Sequence, residues 1–306
     1  MPLAGVLFFP VTPFAPDGAP SLDALTEHVA RGMEHRPGGV FAACGTGEFS
    51  ALSEAEHAAV VRTAVRAVAG VRTAVRAVAG RAPVFAGAGG PYGAALNQAR
   101  AAREAGADGL LLMPPYLAAG PHEGLVAYVR GIAAAGLPVI LYQRGGLVLT
   151  PEQVVELARV PGVIGLKDGV GDIDRIRRTV LAVRREIGDD FTFCNGLPTA
   201  ELTMDAYRGI GVELYSSAAF AFVPEIAVAY HSGPPELRER LLTGFYEPLV
   251  RLRARVPGHA VSLVKAGVRL TGIDAGPVRP PLADPSPEDV AELEALIEHG
   301  RGLLES

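Results

Sequence analysis

Lysine is almost missing from this chain. Of its 306 residues 28 are cationic, and only Lys167 and Lys265 are lysine; the others are arginine. Tryptophan is absent and cysteine occurs twice, as Cys44 and Cys194. Two thiols so far apart in sequence make no disulfide framework and fit a reducing compartment, so a cytoplasmic setting is expected. No apolar run approaches the ~18 residues that cross a bilayer, so no membrane partner is expected. The apolar start, Leu3 to Phe9, is short, lacks a basic leader and is bounded by prolines, which fits a first strand and not a signal peptide. The net charge of -5 and the lack of a basic stripe with interleaved aromatics argue against a nucleic-acid partner. No His/Asp/Glu cluster with metal-ligand spacing appears, and Gly87-Ala88-Gly89-Gly90 fails the dinucleotide fingerprint because Tyr92 stands where its third glycine belongs. No cofactor and no metal are therefore expected.

What is present is alternation. With 49% hydrophobic and 20% charged residues, a sizeable core is available. Eight short apolar runs are separated by amphipathic stretches: Val6–Phe9, Gly39–Ala43, Val84–Ala88, Gly109–Met113, Val139–Tyr142, Val163–Lys167, Phe191–Asn195 and Gly211–Ser216. Helices are predicted from Ser21 to Glu34, from a Ser53/Glu56 capping box, and over 92–105, 122–135, 151–159, 172–187 and 198–208. Eight strand–helix units without a long polar linker predict an α/β fold, a closed (β/α)8 TIM barrel over residues 1–220. Residues 221–306 are predicted as extra C-terminal helices packed on the barrel: Pro224–His231, Pro235–Arg255, His259–Leu270 and Pro287–Leu304. Residues 61–70 recur letter for letter as 71–80. Ten residues fall about 80° short of three helical turns, so one copy is expected to pack and the other to extend or bulge outward near Gly70.

Barrels of this kind carry their chemistry at the C-terminal strand ends. Lys167 stands at the sixth. An amine can add to a carbonyl and form an imine, whereas a guanidinium stays protonated, so Lys167 is a candidate Schiff-base nucleophile as well as a possible ordinary lysine. Gly45-Thr46-Gly47-Glu48 at the second strand end is expected to open a helix, so its free N–H groups would favour an anion, such as a carboxylate beside Lys167. Tyr142 is either a rim residue or an acid/base group. Arg144 either binds a second carboxylate or pairs with a surface acid. Asp168, Asp172 and Asp174 are expected to cap the following helix and not to hold a cation. Cys44 and Cys194 are expected to be packing residues, since no neighbouring histidine activates them. Gly196 and Ser216 close the seventh and eighth strands. The strand ends thus offer Lys167 and Tyr142 as candidate catalytic residues, and Gly45, Thr46, Gly47, Arg144, Gly196 and Ser216 as candidates for binding substrate.

Four of these stretches, Pro10–Phe14, Gly45–Glu48, Tyr142 and Lys167, occur in the order and spacing of the dihydrodipicolinate synthase / N-acetylneuraminate lyase superfamily of class I aldolase-type barrels, which the chain resembles over nearly its whole length. Within that superfamily Thr46–Phe49, Leu166–Asp172, Gly196–Glu201, Tyr215–Ala218 and Val264–Gly267 are most similar to the 5-dehydro-4-deoxyglucarate dehydratases. The resemblance implies a decarboxylating dehydratase working through a Schiff base on Lys167, with Tyr142 passing protons and a dimer or tetramer as the assembly. Alternatives are a 2-keto-3-deoxy sugar acid aldolase, a dihydrodipicolinate synthase, or a non-catalytic small-molecule-binding barrel. The synthases carry two adjacent threonines and a tyrosine pair where this chain has Gly45 and Leu117. Gln143 stands where the relatives usually carry asparagine. Lys265 is expected to be structural, or a helper facing the pocket.

Overall fold

The computed structural model describes residues 3–74, 82–117 and 120–305, with Arg72, Thr73 and Ala74 described by their backbone alone. Strands β1 (Val6–Phe8), β2 (Gly39–Ala42), β3 (Val84–Gly90), β4 (Gly109–Pro115), β5 (Val139–Gln143), β6 (Val163–Asp168), β7 (Thr192–Asn195) and β8 (Leu214–Ser217) form a closed parallel barrel in chain order, β8 returning to β1. Parallel strands covered on both sides are apolar throughout, and here alternate residues part company. Leu7, Phe41, Phe85, Leu111 and Ile140 fill the barrel, while Val6, Phe8, Val40, Val84, Leu110 and Val139 join the larger core under the helices. Inside, Phe9, Phe41 and Phe85 stack with centroids 4.6 and 5.0 Å apart.

The connecting helices are α1 (Leu22–Glu34), α2 (Glu54–Ala74), α3 (Tyr92–Ala105), α4 (His122–Ala133), α5 (Pro151–Ala158), α6 (Ile173–Glu186) and α7 (Met204–Gly209). The Ser53/Glu56 box forms, at 2.9 and 3.3 Å, whereas Ser21 sits at the start of α1 without a side-chain cap bond. The helix predicted over 198–208 is instead a 3-10 turn, Ala200–Thr203, followed by the short α7. Asn195 explains the split: its Nδ2 donates to the Ala200 carbonyl (3.1 Å) and to Thr203 Oγ1 (2.8 Å), holding the turn to the strand end. Strand β8 starts three residues later than predicted, because Gly211 and Val212 are used in closing α7, donating to Arg208 and Tyr207.

Of the duplicated segment the first copy packs, with Val61, Ala64 and Val68 buried. The helix does not break at Gly70 but runs on to Ala74, and a side chain added at Gly70 would touch nothing. The rest of the second copy lies outside the described residues.

The C-terminal helices are α8 (Pro224–Ser232), α9 (Pro235–Leu241), α10 (Glu247–Ala254), α11 (His259–Leu270) and α12 (Pro287–Glu305). Between α9 and α10 the helix continues through a π turn, Leu242–Tyr246. Pro248 lies one residue into α10 and cannot donate to the preceding turn, so the ladder widens there instead of breaking. Helix α11 and the segment after it return to the barrel mouth, where Phe14 N donates to the Ala275 carbonyl at 3.0 Å. Among the described residues no helix is long and apolar enough to cross a membrane.

Candidate active site

A cavity of about 560 Å³ opens at the C-terminal ends of the strands. Its floor is Phe9, Tyr142, Lys167 and Ser216, one side is the Gly45–Glu48 turn, and its roof is Val261 and Val264 of α11 with Pro280–Leu282. Lys167 is next to last in β6, where strand register sets it beside Tyr142 on one side and Cys194 on the other. Its side chain is 6% exposed, and its Nζ lies 4.0 Å from the Phe9 ring centroid and 4.4 Å from that of Tyr142. No carboxylate of a described residue pairs with it. The amine is therefore held by two aromatic faces and faces an open cavity, which is the arrangement a carbonyl nucleophile needs.

Gly196 makes room for it. A Cβ on Gly196 would fall 2.5 Å from Lys167 Cγ and 2.6 Å from Cε, so only glycine lets β7 pass that close. The same residue is fixed twice by backbone: its N–H donates to the Asp168 carbonyl (2.6 Å) and its carbonyl accepts from the Tyr142 hydroxyl (3.0 Å). Gly196 thus seats the two expected catalytic side chains, in addition to lining the cavity. Ser216 also lines it, with Oγ 3.4 Å from the Asn195 carbonyl.

Asp168 does something other than cap α6. Its buried carboxylate accepts from Gln143 Nε2 (2.8 Å), Val170 N (3.0 Å), Gly171 N (3.4 Å) and the Tyr207 hydroxyl, so it anchors the loop that follows the lysine. Asp172 is the cap, taking Arg175 N at 3.0 Å, and Asp174 pairs with Arg178 at the surface. Gln143 turns away from the cavity, one end on Asp168 and the other accepting from Leu149 N at 3.2 Å. Among the described residues no three His, Cys, Asp or Glu side chains gather as a cation site.

The Gly45–Glu48 turn does not open a long helix as expected. A 3-10 turn of three residues, Phe49–Ala51, follows it, and α2 begins only after Ser53, so this turn is not the N-terminus of α2. What remains is a turn whose Thr46 and Gly47 amides donate to no described residue. Gly45 and Thr46 line the cavity; Gly47 lies behind them, packed on the Pro10 carbonyl and Thr12. Arg144 is exposed and pairs with no acid among the described residues; its guanidinium lies 5.4 Å from the Tyr142 ring and 3.4 Å from where a Cβ on Gly45 would stand. A larger residue at position 45 would push it away. Cys44 and Cys194 are buried, and burial raises both thiols to about 12, which leaves them protonated.

Three contacts escape sequence reasoning, which expects of Lys265 only that it is structural or a helper facing the pocket. Thr12 Oγ1 donates to the Gly47 carbonyl at 2.7 Å, a role that the Pro-x-Thr-Pro-Phe motif signalled only by its position. Glu48 and Lys265 form a buried ion pair at 2.7 Å, with both side chains at 0% exposure. Burial pulls the Lys265 ammonium down to about 8 against the opposing pull of Glu48. The third is the α11 and Pro280–Leu282 roof, which no local pattern in the sequence connects to the barrel mouth.

This geometry can be set beside known proteins. The dihydrodipicolinate synthetase family matches residues 2–300. A probable 5-dehydro-4-deoxyglucarate dehydratase of Streptomyces coelicolor is 55% identical over 99% of this chain and 94% of its own length. One from Paracidovorax citrulli is 40% identical over 96% and 95%. Among solved structures, a dihydrodipicolinate synthase from Cyanidioschyzon merolae with lysine bound superposes with a TM-score of 0.82 at 27% identity, covering 98% of this chain and 99% of that one. An Escherichia coli prophage protein in complex with pyruvate shares the fold, with a TM-score of 0.83 at 23% identity over 98% and 99%. A match across nearly the whole length places this chain in the dihydrodipicolinate synthetase family.

Proposed function

We propose that this chain is a Schiff-base lyase that removes water and CO2 from 5-dehydro-4-deoxy-D-glucarate and releases 2,5-dioxopentanoate. The observation that carries this reading is the Lys167 amine, without a carboxylate partner among the described residues, shielded by Phe9 and Tyr142 and open to the cavity. The identities of its relatives give the substrate.

The substrate is a six-carbon dicarboxylate with a ketone next to one carboxylate. The neutral Lys167 amine adds to that ketone carbon, and loss of one water gives an iminium. Thr46 and Gly47 amides take the adjacent carboxylate, and Tyr142 carries protons between the nitrogen and the oxygen that leaves. The iminium acidifies the neighbouring CH2. Removing one of its protons gives an enamine, whose electrons expel the β-hydroxyl as water once that oxygen is protonated. Only now does a double bond extend the iminium to the neighbour of the carbon that bears the far carboxylate. Breaking the bond to that carboxylate then sends its electrons along the conjugated chain to nitrogen, and CO2 departs. Before dehydration saturated carbons insulate the far carboxylate from the iminium, so dehydration comes first. Two protons enter on carbon as the dienamine and enol collapse, and a water regenerates the amine. Arg144 is the uncommitted cation for a substrate carboxylate, and Ser216 with Gly196 completes the wall.

Self-association into a dimer or tetramer is part of this reading. It is supported by Tyr116 and Leu117, adjacent side chains 80% and 76% exposed in the turn after β4. A cytoplasmic setting agrees with two free buried thiols.

Borohydride reduction with the sugar acid present, followed by peptide mass analysis, should place a covalent adduct on Lys167. Turnover should release one CO2 per substrate. Release of pyruvate in its place would make the chain an aldolase, and the absence of any adduct would leave a binding barrel only.

A further inference from the structure

The second lysine is a fully buried cation held by an equally buried carboxylate. Lys265 Nζ donates to Glu48 Oε1 at 2.7 Å and sits 3.9 Å from the Phe14 ring centroid. Glu48 Oε2 accepts the Arg279 backbone N–H at 2.8 Å. The Arg279 guanidinium in turn reaches the carbonyls of Ala51 (2.7 Å) and Gly18 (2.5 Å) and both oxygens of Glu56. Glu48 itself has a left-handed backbone, φ 54° and ψ 42°, which a side chain larger than glycine adopts only when its surroundings compel it.

Stability gives little reason for this construction. Two charges removed from water lose hydration that their attraction repays only in part, and hydrocarbon of the same volume often does as well. Position gives a better reason. Glu48 directly follows Thr46 and Gly47, and Thr12 holds the Gly47 carbonyl from the other side. The turn is therefore pinned at both flanks while its two middle amides stay uncommitted. Lys265 belongs to α11, the helix that also brings Ala260, Val261 and Val264 to the cavity roof.

We infer that Lys265 and Glu48 are positioning residues. Their ion pair locks the carboxylate-binding turn in its left-handed form and sets the α11 roof in register with it, so the site is assembled by residues 1–220 and 221–306 together. The inference rests on the Schiff-base reading above. It makes the two lysines complementary: Lys167 bonds to the substrate's carbonyl carbon, and Lys265 places the substrate's carboxylate.

The test uses the full chain with K265M, E48Q and the double variant K265M/E48Q, with pyruvate as a minimal 2-oxo acid probe. Thermal midpoint is measured beside the pyruvate concentration that half-saturates borohydride trapping on Lys167. K265M leaves a buried carboxylate without its cation and should lower the midpoint. The double variant removes both charges and should recover most of it. Half-saturation should nevertheless stay about 10- to 100-fold above the unmodified chain in both, the loss expected when hydrogen bonds to a carboxylate are misplaced. A double variant that recovers half-saturation along with its midpoint makes the pair merely structural and overturns the inference. Failure of the unmodified chain to trap pyruvate or the sugar acid at all would sink the Schiff-base reading instead, so the two failures are distinct.

Discussion

Lys167 and Lys265 lie 6% and 0% exposed, each with its ammonium about four ångströms from an aromatic centroid, yet they are opposite kinds of residue. What separates them is one carboxylate. Glu48 stands 2.7 Å from Lys265 and keeps that amine as a cation's half of an ion pair, while nothing of opposite charge among the described residues pairs with Lys167. Burial alone does not make a nucleophile. A buried amine facing an acid is a strut, and a buried amine facing rings and an open cavity is available to react. The surroundings follow the same division. Around Lys265 the polar partners are bonded to one another, whereas at the cavity the Thr46 and Gly47 amides and the Arg144 guanidinium have no hydrogen-bond or ion-pair partner among the described residues.

The most severe way to break the comparison is to remove the reactive amine. Lys167→Arg keeps the charge but cannot form an imine, and should cut kcat at least ~1000-fold and abolish borohydride trapping, with the fold retained by circular dichroism. A trapped adduct on Lys265 in that variant would refute the division of labour. Tyr142→Phe comes next. It keeps the ring face beside Lys167 and removes only the hydroxyl that now donates to Gly196, so kcat should fall on the order of 100-fold while the thermal midpoint hardly moves. An unchanged kcat would make Tyr142 a wall and not a proton carrier. Gly196→Ala is milder still in chemistry. Its new methyl would meet the Lys167 stem at 2.5 Å and must displace it, so kcat should drop about 10- to 100-fold with the lysine intact. If trapping proceeds at the normal rate, the close approach is not what aims the amine.

How far the sequence foretold this depends on the range of each signal. The barrel was legible because eight apolar runs alternate with helical stretches, a local pattern repeated end to end. Lys167 was legible because arginine replaces lysine nearly everywhere else. The helix expected to open at Gly45 was misplaced: the Ser53/Glu56 box, which the sequence shows, is what starts α2, and Phe49–Ala51 forms a 3-10 turn before it. The role of Gly196 was visible only as a glycine at a strand end, since its requirement comes from a side chain 29 positions earlier that packs against it. Glu48 and Lys265 are separated by 217 positions, and no periodicity joins them. Contacts of that kind are decided by the closure of the barrel and the return of α11, which is tertiary information.

The mildest perturbation is acid, and it should loosen one lysine's surroundings without touching the other's. Glu56 is held at about 2, below its ordinary 4.5, chiefly by its hydrogen bonds from Arg279, with burial opposing. A carboxylate depressed in the folded state contributes stability that is complete above the unfolded value and is lost as pH falls from about 4.5 towards 2, because the unfolded chain takes up the proton first. Arg279 is the residue whose backbone N–H holds Glu48, so the Lys265 end of the site is the end that weakens. The pair is partly open to solvent, its side chains 22% and 26% exposed, which keeps the effect small. The thermal midpoint of the unmodified chain should exceed that of Glu56→Gln by about 2 °C at pH 6 and converge with it only near pH 2. Curves that stay parallel over that interval would show that Glu56 does not hold Arg279 through its charge. In the same interval the Lys167 cage of Phe9 and Tyr142 has no carboxylate partner among the described residues to protonate, so any acid effect that travels through Glu56 should raise the half-saturating concentration of a 2-oxo acid before it slows the reduction of the bound imine.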